Sequence, residues 1–182
     1  MPGAGPNPWG FHRLTDQWAR RLVSAASIRR GELVLDVGAG SGAITAPLVR
    51  AGARVVAVEL HGRRARDLRN RFAGETVKVV QADASDLRLP GRPFRIVANP
   101  PFGVSTALLR RVLAPGSHLV SADIVLPLHV ARRWTSPRAP GARRWLRSFD
   151  ATVVARLPPH AFRPAAPMDV VVLRVERRSP VR

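Results

Sequence analysis

The sequence of 182 residues contains no cysteine, a single lysine (Lys78) and only 12 acidic residues. Without cysteine there can be no disulfide framework, no thiolate nucleophile and no cysteine-ligated metal. The five histidines, His12, His61, His118, His129 and His160, are scattered without ligand spacing, so no metal is expected. No stretch approaches the ~20 apolar residues of a membrane span, and the N-terminus lacks the apolar core of a signal peptide. A soluble, cytoplasmic protein with no membrane partner is expected.

What is abundant is arginine. Lysine and arginine together number 30, giving a formal net charge of +18. A GC-rich genome can favour arginine over lysine, but it does not account for the shortage of acids. A polyanionic partner does, because arginine forks bind phosphate and excess positive charge draws nucleic acid in from a distance. The length suits one domain with a full core, the 46% hydrophobic content is that of a globular protein, and a monomer is expected.

Residues 1–8, rich in proline and glycine, read as a disordered lead-in, 9–178 as the domain and 179–182 as a tail. From Thr15, a candidate N-cap, Trp18, Leu22, Val23 and Ala26 recur at helical spacing to about Ser27. Strand-like runs follow at 33–37, 54–59, 76–80, 94–99 and 117–126, and helical stretches fill 43–51, 62–72 and 104–114. Such alternation predicts βαβ units, a parallel sheet and helices on both faces. A short helix is expected after Pro127, then a mobile basic loop over 135–147. Strands 149–157 and 169–176, joined by a proline-rich segment without room for a helix, should pair antiparallel. The fold class is therefore α/β, a seven-stranded Rossmann-like methyltransferase sheet with a C-terminal antiparallel strand pair.

In such a sheet ligands sit over the carboxyl ends of the strands, and four strand ends carry a signature. The first strand, Leu33-Val34-Leu35-Asp36-Val37, runs into a turn with glycine at Gly38, Gly40 and Gly42, where side chains would block a ligand's approach. The second ends in Glu59, about 20 residues on, where a carboxylate can accept both hydroxyls of an unphosphorylated ribose. The third leads to Asp83, able to accept from an exocyclic adenine amine. The fourth ends in Asn99-Pro100-Pro101-Phe102, in which the prolines remove two N–H donors and leave carbonyls toward a ligand, Asn99 presents an amide and Phe102 a flat apolar face.

These motifs, in this order, resemble those of S-adenosylmethionine-dependent N6-adenine methyltransferases. Gly52 to Leu60, together with Ala161-Phe162-Arg163-Pro164, Asp169 and the apolar strand after it, is similar to the Erm family, the 23S rRNA adenine methyltransferases that confer macrolide resistance. The related small-subunit dimethyladenosine transferases share the plan. The resemblance covers roughly residues 9–178. It implies S-adenosylmethionine as cofactor, with contacts at His12, Leu14, Asp36, Gly38, Gly40, Gly42, Glu59, Leu60, Asp83, Ala84 and Asn99. It also implies 23S rRNA or a large-subunit precursor as partner. In the implied mechanism the Asn99 side-chain oxygen and the Pro100 carbonyl accept the two protons of the target amine, and Phe102 stacks on the flipped-out base. No strong general base is then needed.

Three departures from the family pattern stand out. A family segment of the form Gln-(Asn/His)-Phe-Leu reads Phe11-His12-Arg13-Leu14 here, matching at His12 and Leu14 only. The second tetrapeptide position is Pro100, as in DNA adenine and protein glutamine methyltransferases, rather than Ile or Leu. Erm proteins continue into a small helical lobe, whereas this sequence ends at Arg182, so a short form is expected in which Arg13, Arg20, Arg21, Arg132, Arg133, Arg143 and Arg144 hold RNA. Competing readings are methylation of other rRNA, of DNA adenine or of a protein glutamine amide, and a basic RNA-binding module without turnover.

Overall fold

A computed structural model describes residues 12–178; Phe11, the expected lead-in and the expected tail lie outside the described residues. The main sheet has seven strands in the order β4-β3-β2-β5-β6-β9-β7. These are β2 (Leu33–Val37), β3 (Arg54–Glu59), β4 (Val77–Gln81), β5 (Phe94–Ala98), β6 (Leu119–Pro127), β7 (Phe149–Leu157) and β9 (Val170–Arg177). Strands β2 to β6 pair in parallel, and β9 runs antiparallel to both β6 and β7. The carboxyl ends of β2, β3, β4, β5 and β6 therefore share one edge. The central strands are almost continuous apolar runs, as strands buried on both faces must be.

Helices cover both faces. On one, α1 (Asp16–Ala25), α2 (Thr45–Arg50) and α3 (Gly62–Arg71) bury Leu22, Leu48 and Leu68. On the other, α4 (Ser105–Val112), α5 (Leu128–Trp134) and α6 (Ala142–Trp145) bury Leu108, Leu109, Trp134 and Trp145 against β5 and β6. Asp123 of β6 is buried and receives Arg174 of β9 at 2.8 Å, while the same guanidinium donates to the Ala25 carbonyl at 2.8 Å. That pair fastens α1 to the antiparallel end of the sheet. Among the described residues no helix is long and apolar enough to cross a membrane, and no group of three or more metal-ligating side chains is found.

One expectation needs correction. The span 135–147 is not a structureless loop: it contains α6, and Trp145 is 4% exposed, lies 6.0 Å from Trp134 and donates its indole N–H to the Pro140 carbonyl. The apolar surface of one tryptophan suffices to seat so short a helix. The proline-rich link carries no α-helix, as expected; it holds a single 3-10 turn (Pro159–Ala161) and strand β8 (Phe162–Arg163), which pairs antiparallel with β1 (Arg13–Leu14) in a second, two-stranded sheet. Thr15 occupies the expected N-cap position in extended conformation; its side chain makes no capping bond, and its amide donates to the Ala161 carbonyl at 2.8 Å. The small sheet and this bond bring the N-terminal segment over the ligand-binding edge.

Candidate active site

The turn after β2 passes through positive φ at Gly38 (76°), Gly40 (56°) and Gly42 (83°), and α2 opens at Thr45 rather than at 43. The three glycines serve different ends. A Cβ on Gly38 would come within 3.1 Å of Pro100 Cα and Pro101 Cδ, so its bareness allows the turn and the Asn99–Phe102 loop to meet. Gly40 turns its N–H to Glu59 Oε2 at 2.8 Å. Gly42 faces away from the ligand edge: a Cβ there would lie 2.7 Å from the Phe72 ring, so this glycine makes room for packing against α3.

Between the turn and the ends of β3 and β4 opens a cleft of about 260 Å³, lined by Gly38, Glu59, Leu60, Asp83, Ala84 and Pro101 among others. Glu59 is 4% exposed and is held by the Gly40 N–H and, through Oε1 at 3.0 Å, the His61 N–H. A carboxylate has about four lone-pair sites, so each oxygen keeps one for a vicinal diol. Asp83 is exposed; its Oδ1 accepts from the Ser85 amide and hydroxyl at 2.8 and 2.7 Å. Those hydrogen bonds hold its pKa below the usual carboxylate value and keep an anionic acceptor at the cleft wall. Leu60, 50% exposed, supplies an apolar wall beside it. Two carboxylates beside an apolar slot can accept from a diol and an amine, the donors that a nucleoside carries.

Asp36 lies beneath the turn, 1% exposed, and accepts from the Thr45 hydroxyl at 2.6 Å. Burial raises its pKa to about 7 against the opposing Thr45 hydrogen bonds, with a smaller push from Glu59. A small void of about 10 Å³ touches Asp36, Gly38, Leu14 and Asn99, so Leu14, otherwise a core residue, also borders the site.

Asn99 follows β5 at the centre of the sheet and is 6% exposed. Its Nδ2 donates to the His12 main-chain carbonyl at 2.7 Å. A carbonyl can only accept, so this bond fixes the amide's orientation and leaves Oδ1 as a buried acceptor without a partner among the described residues. An unmade hydrogen bond of this kind costs about 1–3 kcal/mol. The His12 ring stacks on Phe102 with centroids 5.7 Å apart and planes at 23°, and its Nδ1 lies 3.1 Å from the Pro164 carbonyl. Sequence reasoning had singled out His12 only by resemblance and missed that it orients both Asn99 and Phe102; the β1–β8 pairing that brings it there leaves no periodic signal.

The arginines expected to meet RNA are dispersed. Arg13 pairs with Asp16 at 2.5 Å near the cleft, and Arg21 lies over the Trp18 ring at 4.7 Å. Arg20, Arg132 and Arg133 are exposed on α1 and α5. Arg143 and Arg144 are exposed on α6, which leads directly into the start of β7. Phe149 there pairs with Arg177, and the Arg177 guanidinium donates to the Leu119 carbonyl at the start of β6. That edge is opposite the ligand cleft, so the topology separates this pair from the other candidates.

A sheet of this strand order, with a nucleoside-sized cleft over the ends of β2, β3 and β4 beside an Asn-Pro-Pro-Phe loop, defines the methyltransferase class. Within it, the family model described as ribosomal RNA adenine dimethylase matches residues 8–181, and the chain belongs to that family. It is 38% identical over 178 residues to an rRNA methyltransferase of Streptomyces thermotolerans, covering 93% of this chain and 58% of that protein. To the mycinamicin-resistance protein MyrB of Micromonospora griseorubida it is 34% identical over 181 residues, covering 96% and 57%. The crystal structure of the 23S rRNA methyltransferase ErmE superposes with a TM-score of 0.81 at 28% identity, covering 93% of this chain and 70% of that one. The chain thus spans less than three fifths of the length of these two curated relatives.

Proposed function

We propose that the protein transfers a methyl group from S-adenosylmethionine to the N6 amine of an adenine in 23S rRNA, and that this modification confers macrolide-type resistance. The observation that carries the reading is the buried, unpartnered Oδ1 of Asn99 beside a nucleoside-sized cleft. An acceptor left unpaired in the protein fits a donor brought by the substrate, and an adenine amine has two N–H groups to give. The family membership and the likeness to the mycinamicin-resistance protein MyrB and the 23S rRNA methyltransferase ErmE support the choice of rRNA and of the resistance role.

In this reading Glu59 accepts the ribose hydroxyls of the cofactor, Asp83 its adenine amine, and Leu60 and Ala84 line its base. Asp36, Gly38, Gly40, Leu14 and His12 border its methionine end. When bound, S-adenosylmethionine supplies an electrophilic methyl on a sulfonium sulfur, taken by an attacking nitrogen with release of the neutral thioether. Asn99 Oδ1 and the Pro100 carbonyl accept the two amine protons, draw the nitrogen toward tetrahedral geometry and free its lone pair from the ring. Phe102 has one face on His12, and the other serves the flipped base. No side chain need act as a strong base, since the extra proton leaves to water after transfer.

Phosphate contacts fall to Arg13, Arg20, Arg21, Arg132 and Arg133, with Arg143 and Arg144 available only to RNA that reaches the far edge of the sheet. Such contacts orient RNA without reading its sequence. The test is tritium transfer from labelled cofactor to 23S rRNA, 16S rRNA, duplex DNA and a protein with an accessible glutamine, offered in parallel. Label in 23S rRNA is expected. Label confined to DNA or protein would assign the Asn-Pro-Pro-Phe loop to one of the competing amine or amide substrates.

A further inference from the structure

A second cavity, of about 480 Å³, lies against the glycine turn at Gly40 and Ser41, bounded by Arg13, Gly40, Ser41, Arg64, Asp67 and Arg71. Its wall is α3, which carries five arginines and one acid in ten residues (Gly-Arg-Arg-Ala-Arg-Asp-Leu-Arg-Asn-Arg). Arg64, Asp67 and Arg71 stand at i, i+3 and i+7 and so share one helix face, the one seated by buried Leu68. Arg13 faces them from β1, at the position where the family pattern has Phe.

Each of these guanidiniums is anchored by the protein. Arg71 donates to the Ser41 carbonyl in the glycine turn, Arg13 binds Asp16 at 2.5 Å, and Arg64 lies 4.0 Å from Glu59. A guanidinium has five N–H donors, and the bonds of Arg13 to Asp16 and of Arg71 to Ser41 occupy only a part of that set. Asp67 is the one acid on the cavity wall, against three arginines. Along α3, Arg64 and Arg71 are two turns apart, about 10 Å at their Cα atoms, a span suited to an extended polyanion rather than to one carboxylate. Arg13 also lines the small void that touches Asn99, so the cavity adjoins the place where the target amine would sit.

We propose that this groove is a phosphodiester track: Arg13, Arg64 and Arg71 bind the backbone phosphates of the nucleotides flanking the target adenine. The track sets the strand's path past the glycine turn while Asn99 takes the base. The inference rests on the rRNA reading above, and it adds α3, a surface no motif pointed to, to the RNA interface.

The test uses the full chain, a short RNA hairpin with an adenine-containing single-stranded loop, and S-adenosylhomocysteine as the cofactor probe. RNA affinity is measured over a range of salt concentrations and probe affinity by calorimetry, for the parent, Arg71→Gln, Arg13→Gln with Arg71→Gln, and Asp67→Asn. Each lost arginine is expected to reduce the log–log salt slope by about 0.7, with probe affinity unchanged. Asp67→Asn is expected to raise RNA affinity, a gain that misfolding cannot imitate. An RNA affinity and slope indifferent to all three variants would overturn the track. So would a loss confined to the probe, which would assign the arginines to the cofactor's carboxylate. A parent chain that binds RNA without salt dependence, or not at all, would instead remove the rRNA reading itself.

Discussion

Asn99 and His12, 87 residues apart in sequence, are joined by a 2.7 Å hydrogen bond from the Asn99 amide to the His12 carbonyl. The same histidine stacks on Phe102, three residues beyond Asn99. The N-terminal segment thus sets the orientation of the Asn99 amide and of the aromatic ring of Phe102. Asn99→Ala is expected to lower single-turnover transfer on the order of 100-fold or more, as removal of a preorganised polar group does, while calorimetry finds cofactor binding nearly unchanged. Glu59→Ala and Asp83→Ala should show the reverse, weak binding first. Loss of cofactor affinity in Asn99→Ala alone would exchange these roles.

Phe102→Tyr keeps the flat face and should retain most activity. Phe102→Ala should lose stacking worth about 1–3 kcal/mol, read as a fall in transfer at subsaturating RNA. His12→Ala is expected to lie between them, because the main-chain carbonyl that holds Asn99 survives while the ring behind Phe102 does not. Equal rates for Phe102→Ala and the parent would remove the stacking role.

Buried Asp36 should give the fold a pH dependence opposite to that of paired carboxylates. Its folded pKa of about 7 exceeds the ordinary 3.8, so the folded state binds a proton that the unfolded chain has released. The stability it contributes is complete below about pH 4 and is lost as pH rises through about 7. Thermal unfolding between pH 5 and 8 measures this, with Asp36→Asn as reference: the stability difference between parent and variant should shift against the parent as pH rises. A difference constant across that range would place the carboxylate's titration elsewhere.

Trp145 anchors α6 on Trp134, and Trp145→Ala should destabilise the protein by about 3–5 kcal/mol. Arg143→Ala and Arg144→Ala, on the exposed side of the same helix, should stay within about 0.5 kcal/mol of the parent. Chemical denaturation resolves the two classes. A tryptophan variant as stable as the arginine variants would restore the mobile-loop expectation for 135–147.

The sheet was largely legible in the sequence because its strands are long, apolar and separated by helices of clear period. Strands Leu33–Val37 and Arg54–Glu59 fall where the pattern puts them, and β9 forms the expected antiparallel pair with β7. What escaped were elements too short to show a period: the two-residue strands β1 and β8, and α6, whose four residues follow two prolines and a glycine. In the candidate site, the placement of Glu59, Asp83 and Asn99 at or just beyond strand ends was legible from type and order. The partition of the glycines was not, since only the tertiary neighbours, Pro100 and Pro101 for Gly38 and Phe72 for Gly42, reveal which one faces the cleft. The α3 arginines were passed over because a helix rich in charge reads first as a solvated face; the Ser41 carbonyl that receives Arg71 comes from a different part of the chain.

The central claim is that the Asn99 site methylates an adenine amine in 23S rRNA. Its most direct test is nucleoside mass spectrometry with position mapping on unmodified 23S rRNA incubated with S-adenosylmethionine and either the parent chain or Asn99→Ala. N6-methylated adenosine at one adenine or a small cluster of neighbouring ones with the parent, and none with Asn99→Ala at equal cofactor occupancy, is the predicted result. Methylation at any other atom, or N6-methyladenosine formed equally by both proteins, would contradict it.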